Sequence, residues 1–234
     1  TDVRWRAISR RVEQSTWLWW SSGKDSAWSL MRLRQDPKNP VTALITTVNA
    51  AADRVAMHAV RRSLLLAQAA ALGLPVHVVE LPWPCTNNDY EAAVAPWLAR
   101  ARSEGVTHMA FGDLFLEDVR AYRQSLLEGS GIESRFPLWH EPTDRLAKEM
   151  VTAGVEAYLT CIDPKVLRPE LVGRAYNAAL LRELPEGIDP CGENGEFHTF
   201  VANGPGFAHR VPVTLGETVE RDGFWFADLV GTSS

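Results

Sequence analysis

Six consecutive residues, Ser21-Ser22-Gly23-Lys24-Asp25-Ser26, hold more chemistry than a connecting turn needs. Gly23 allows a tight turn and a close approach of the backbone to a ligand. A helix starting here would present unpaired amides and the positive end of its dipole, both suited to a phosphate. Ser21, Ser22 and Ser26 add hydroxyl donors, and Lys24 adds a positive charge. Asp25 would repel phosphate directly, so its sensible partner is a bridging Mg²⁺. The plainer alternative is a serine-rich cap on an ordinary helix. The pattern GxxxxGK[ST] is absent, so this is not a Walker-type phosphate loop.

Two further runs carry reactive side chains. In the run from Gly112 and Asp113 to Arg123, Arg120 and Arg123 lie three apart on one helix face. Two guanidinium groups there could hold a carboxylate or phosphate in a bidentate fork. The plainer alternative, favoured when the run is taken alone, is a solvated network with Glu117. The other run is Asp189-Pro190-Cys191-Gly192-Glu193-Asn194-Gly195-Glu196-Phe197-His198-Thr199. Glu196 and His198 would share a face if a strand begins there, and either could orient an amine or accept its proton. The alternative is a tight polar turn into a β meander.

These residues need a frame. Residues 16–20 (TWLWW) are apolar and β-prone and end at the serines. A helical pattern follows from Asp25, with Trp28, Leu30, Met31 and Leu33 apolar, and stops before Asp36-Pro37. The alternation continues with strands over 41–48, 76–81 and 107–112. Helices are expected over 55–72, 89–103 and 116–127. This predicts an α/β, Rossmann-like parallel sheet with helices on both faces, and ligands at the carboxyl ends of its strands. The loop at 21–26 is at that end, as are Asp113 and the segment Thr46-Thr47-Val48-Asn49, whose backbone could meet an adenine edge. Arg54, Met57 and His58 are expected on the next helix, with Met57 in the core and His58 either on the surface or at the site.

The texture changes after Gly129-Ser130-Gly131. A helix over 143–153, a strand over 157–162 and one or two helices over 169–184 are expected. Short strands follow from Glu196, with hairpin turns at Asn203-Gly204-Pro205-Gly206 and Asp222-Gly223. This divides the chain into an N-terminal extension (1–15), a nucleotide domain (16–128) and a substrate domain (129–234).

Composition sets outer bounds. The 234 residues are 46% hydrophobic and 23% charged, ordinary for a globular chain with a sizeable core. A net charge of -5 argues against broad nucleic-acid binding. No apolar run is long enough to span a bilayer. Arg4, Arg6, Arg10 and Arg11 precede no signal-peptide core. Three distant cysteines form no disulfide framework, and the six histidines form no zinc-ligand pattern, so a cytoplasmic location is expected. The oligomeric state is left open, a homo-oligomer included.

The loop resembles the pyrophosphate loop, SGGxDS, of the N-type ATP pyrophosphatases, with Ser22 in place of the first glycine. That loop, Val48-Asn49, Gly112 to Arg123, Phe136-Pro137-Leu138-Trp139 and Cys191 to Thr199 together resemble the ATP-binding proteins related to diphthine–ammonia ligase. The resemblance implies a HUP-type nucleotide domain, a smaller α+β C-terminal substrate domain, and ATP with Mg²⁺ as cofactors. It implies an AMP-forming ligase: a small-molecule or protein carboxylate is adenylated, and ammonia then displaces AMP. Lys24, Asp25, Glu193, Glu196 and His198 would be catalytic, with Asp25 on Mg²⁺. The 21–26 loop, Val48, Asn49, His58, Gly112 and Asp113 would bind nucleotide, and Arg120, Arg123, Asn194 and Thr199 the substrate. The run from Glu193 to His198 looks like the bacterial-type variant, which implies a carboxylate other than diphthine. No glutaminase domain is read in the sequence, so ammonia would come from solution or a partner. Two alternatives share the loop. A tRNA sulfur transferase would need Cys191 as its thiolate. A non-catalytic nucleotide sensor would not need both Lys24 and Asp25.

Overall fold

The structure is a computed structural model that describes residues 14–55 and 58–232. Arg4, Arg6, Arg10, Arg11 and Met57 lie outside the described residues.

Strand β1 (Ser15–Trp19) is buried on both faces. Trp17 and Trp19 enter one core cluster with Val94, Leu98 and Ala101. Leu18 and the following Trp20 enter the other, with Leu30, Leu33, Leu64 and Leu65. This is why the strand reads as a continuous apolar run rather than an alternation. Strands β2 (Val41–Asn49), β4 (Val76–Leu81), β5 (Val106–Ala110) and β6 (Glu133–Arg135) join β1 in a parallel sheet of order β4-β2-β1-β5-β6. A two-residue β3 (Arg54–Val55) lies antiparallel to the end of β2. The connecting helices are α1 (Lys24–Leu33), α2 (Arg62–Leu72), α3 (Asn87–Ser103) and α4 (Glu117–Leu127). The chain runs outward from β1 through β2 to β4, then returns to β5 on the other side of β1. The order therefore reverses between β1 and β5, and their carboxyl ends flank a crevice.

The second sheet is antiparallel: β7 (Glu156–Ile162), β8 (Ala175–Tyr176), β9 (Phe197–Asn203), β10 (Val213–Arg221) and β11 (Phe224–Gly231). With α5 (Thr143–Thr152) and α6 (Ala178–Glu183) it makes a smaller, β-rich C-terminal domain. The fold is thus the expected α/β sheet with a second domain. The two share one apolar cluster, in which Leu30 and Leu65 join Leu159, Phe197 and Phe200. No helix among the described residues is long and apolar enough to cross a membrane.

Three expected elements differ. The helix over 55–72 begins only at Arg62, because Asp53 and Ala59 hold left-handed backbone (φ 52° and 54°). The segment before it folds into a hairpin in which the Val55 N–H donates to the Val60 carbonyl at 2.8 Å. Arg54 therefore sits in β3 and His58 on a turn, not on a helix. Residues 169–184 split into a 3-10 turn (Pro169–Leu171), β8 and α6. Gly173, at φ 80°, breaks the run, and Asn177 caps α6. Asp222-Gly223 is the expected hairpin turn, whereas 203–206 is not, since β9 pairs with β7 and β10 with β11.

Candidate functional site

The phosphate-loop candidate opens into the crevice between β1 and β5. Gly23, the residue before α1, has no side chain to cap it, and the helix N-terminus faces the crevice. The Gly23 N–H donates to Ser21 Oγ at 3.3 Å, Ser26 Oγ donates to the Gly23 carbonyl at 2.9 Å, and the two hydroxyls meet at 3.2 Å. Ser21 and Ser26 are thus tied to each other and to the loop backbone. Gly112 packs closely on the loop: a Cβ there would lie 3.1 Å from the Ser26 amide nitrogen, so a larger residue would push the backbones apart by a few tenths of an ångström.

Behind the loop, Gln68 of α2 locks it in place. Its Nε2 donates to the carbonyls of Ser22 (3.0 Å) and Val201 (2.6 Å), and its Oε1 accepts from Trp20 Nε1 at 3.0 Å. The Val201 N–H also donates to the Ser22 carbonyl, at 2.9 Å. Ser22 holds φ at 70°, and its buried hydroxyl has no partner. A left-handed backbone costs a non-glycine residue roughly 1–2 kcal/mol, against roughly 0.5–1 kcal/mol of extra chain entropy for glycine. Ser22→Gly is therefore expected to stabilise the protein by about 1 kcal/mol, a rise in Tm of about 2–4 °C by calorimetry. A fall in Tm would contradict the strain.

Strand β9 brings the second domain onto the loop. The Lys24 N–H donates to Thr199 Oγ1 at 3.1 Å, and His58 Nδ1 lies 2.9 Å from the Thr199 carbonyl. The Lys24 ammonium is buried. It pairs with Asp25 at 2.8 Å, donates to the Cys191 carbonyl, and lies over the Tyr176 and Phe197 rings at 5.5 and 5.3 Å. Burial pushes its pKa down, but the field of Asp25 outweighs this and keeps it charged. Lys24 thus ties the 191–199 run to the loop.

Glu193 crosses the crevice and accepts the Leu114 N–H at 2.6 Å. Burial raises its carboxyl to about 8, with Asp25 and Asp113 adding to the shift and the Leu114 bond opposing it. His198 and His58 stand with ring centroids 4.7 Å apart. Burial lowers His198 to about 3 and His58 to about 4, so both imidazoles are neutral at pH 7. The crevice, a cavity of about 850 Å³, is large enough for a nucleotide and a second reactant.

Domain-level comparison matches this architecture. The model for the diphthamide synthase N-terminal domain matches residues 14–134, and that for the diphthamide synthase C-terminal domain matches residues 142–231. The chain belongs to the diphthamide synthase family. It is 30% identical over 95 residues to the diphthine–ammonia ligase of Schizosaccharomyces pombe, covering 39% of this chain and 16% of that protein. It is 32% identical over 97 residues to that of Danio rerio, covering 39% of this chain and 38% of that one. The aligned stretch is therefore well under half the length of these curated relatives.

Within this family member, the expected site residues divide. Ser21, Lys24, Asp25, Ser26, His58 and Gly112 line the crevice, and so do Asp113, Arg123, Glu193, Asn194, His198 and Thr199. Ser22 and Gly23 lie behind the loop surface. Val48 is core, and Asn49 caps its own turn by accepting from the Ala51 and Ala52 amides at 2.9 and 3.1 Å. The crevice is lined instead by Thr46, Thr47 and Val55. Glu196 precedes β9 rather than sharing a face with His198. Its Oε1 accepts from the Asp189 amide and Asn194 Nδ2 at 3.1 and 3.0 Å, closing the 189–196 turn away from the crevice.

The two arginines do not converge. Arg120 lies over Trp139 at 4.6 Å, outside the crevice, while Arg123 pairs with Asp113 at 3.4 Å and lies over the Phe111 ring at 5.1 Å. Glu117 faces His140 at 3.5 Å instead of either arginine. The Cys191 thiol is buried and raised well above its ordinary range by desolvation, which opposes a thiolate there. Sequence reasoning did not single out Trp19, Tyr90, Phe111 and Tyr122, which form an aromatic wall. Their types gave no signal, because an aromatic residue at a strand end or on a helix reads as core. Gln68 likewise looked like an ordinary helix residue.

Proposed function

We propose that the chain is an ATP-dependent, AMP-forming amide ligase, with 16–128 and β6 as its nucleotide unit and the rest of 129–234 as its substrate unit. The observation that carries this reading is the docking of Thr199 and His58 on the phosphate loop. That contact sets the 21–26 loop and the Glu193–His198 run along one crevice, which supports the reading. The α1 amides with Ser21 and Ser26 hold the pyrophosphate that leaves when a substrate carboxylate attacks the α phosphorus. Thr46, Thr47 and Val55 flank the base. Ammonia then attacks the acyl carbon of the adenylate, AMP leaves with the bonding electron pair, and Glu193 accepts the proton shed by nitrogen. Neutral His58 and His198 line the path of an uncharged nucleophile and repel none of its partners. Arg123 and the aromatic wall orient the carboxylate substrate, which is other than diphthine on the reading of the Glu193–His198 run.

Magnesium fits the acid groups present. Among the described residues no three His, Cys, Asp or Glu side chains gather as a ligand set. Mg²⁺ needs only one or two carboxylates when phosphate oxygens and water complete its shell. Asp25 and Asp113 both face the crevice and would hold it, and it would neutralise phosphate charge there.

The test is product analysis. Incubation with ATP, Mg²⁺, ammonium and a panel of carboxylates is expected to give AMP and pyrophosphate in equal amounts, dependent on both cosubstrates. ADP and phosphate as products would overturn the proposal.

A further inference from the structure

His58 lies in a hairpin that the second domain contacts at a second place, away from the crevice. It lies at the tip of the hairpin that begins with β3. At the base of that hairpin, Arg54 and Arg61 form a β-bridge, and both end on Asp228 of β11. Arg54 Nη1 donates to Asp228 Oδ1 at 2.8 Å and to the Ala59 carbonyl at 2.8 Å. Arg61 Nε donates to Oδ1 at 3.0 Å and its Nη2 to Oδ2 at 2.5 Å. Such a fork fixes direction as well as distance. Burial opposes ionisation of Asp228, but Arg61 and Arg54 outweigh it and lower the carboxyl to about 2, so the clamp is charged at every working pH.

The tip of the hairpin is held too. His58 Nδ1 meets the Thr199 carbonyl, and its ring covers Gly23 so closely that a Cβ there would lie 2.8 Å from Cε1. The groups facing the imidazole are His198 from β9 and the Lys24 charge from α1. Two strands of the second sheet thus grip one hairpin of the first domain, β11 at its base and β9 at its tip.

We propose that Asp228 is a positioning residue, which sets His58 against the phosphate loop by clamping both ends of its hairpin. Its effect on nucleotide rests on the ligase reading above, whereas its effect on His58 does not. The experiment follows the His58 imidazole by NMR titration of the full chain, beside ATP binding by calorimetry. Wild type is expected to titrate His58 near 4. Asp228→Ala frees the hairpin, and the midpoint moves towards the ordinary 6.5. ATP affinity falls about tenfold, within the range of losses from small misplacements. Asp228→Glu keeps the charge and stays closer to wild type in both. If the alanine variant does not fold, Asp228→Asn, which keeps the side-chain volume and one acceptor, serves the same comparison with a smaller shift. A folded alanine or asparagine variant with an unmoved His58 midpoint overturns the clamp. Failure of the wild type to bind ATP would instead count against the ligase reading, with the His58 titration still deciding the role of Asp228.

Discussion

Lys24→Met is expected to destabilise the protein by about 3 kcal/mol and to abolish nucleotide binding. The ammonium is buried between Asp25, the Cys191 carbonyl and the rings of Tyr176 and Phe197. Methionine fills most of the volume but leaves the Asp25 carboxylate with no counter-charge. Removing one partner of a buried pair costs roughly 3–5 kcal/mol, and the partial exposure of Asp25 places this case at the low end. For a chain of this size the loss corresponds to about 6–12 °C in Tm. The double variant Lys24→Met/Asp25→Asn should recover part of that loss, because the uncompensated charge is gone. Denaturant unfolding of wild type, Lys24→Met, Asp25→Asn and the double variant measures the coupling. A single variant within 1 kcal/mol of wild type, on the order of an exposed pair, would rule out the buried pair.

Glu193→Gln is expected to lower the amidation rate by about 10²–10⁴-fold while leaving the fold intact. Glutamine still accepts the Leu114 N–H but cannot take a proton from nitrogen. The wild-type rate should rise with pH through about 8, where the carboxylate forms, and the variant should lack that limb. Stability moves in the opposite sense. Glu193 is an acid whose folded pKa lies above its ordinary 4.5, so the folded state favours the proton. That contribution is fully present below about 4.5, is lost as pH rises towards about 8, and is constant above it. The variant, neutral throughout, should therefore gain on wild type over that window and be the more stable of the two at pH 9. Parallel stability curves for the two proteins would show that Glu193 is not held protonated.

Much of this molecule is written locally. The loop between β1 and α1 is legible because small polar residues and a glycine end an apolar run just before a helical pattern. The alternation of strands and helices sets the parallel sheet, since each crossover must return to the same edge direction. The hairpin at Asp222-Gly223 is legible for the same reason, as its turn needs two left-handed residues. Where local pattern failed, a distant contact had overridden it. Residues 55–61 carry helix-compatible side chains, but Arg54 and Arg61 are drawn to Asp228, and the chain turns back instead. Glu196 looked as reactive as Glu193, yet the turn from Asp189 uses it as a hydrogen-bond acceptor.

The sequence by itself determined that a loop rich in glycine, serine and lysine stands at the carboxyl end of a parallel sheet, and that acid and imidazole side chains lie elsewhere in the chain. Only the tertiary structure decided which of them meet. Thr199 reaches the loop because β9 docks on α1, His58 meets it there from its hairpin, and Arg123 enters the crevice while Arg120 turns out to Trp139. The physical reason is that burial and charge pairing are properties of neighbours across space. A carboxyl raised to about 8 or an imidazole lowered to about 3 is made by the walls that close over it.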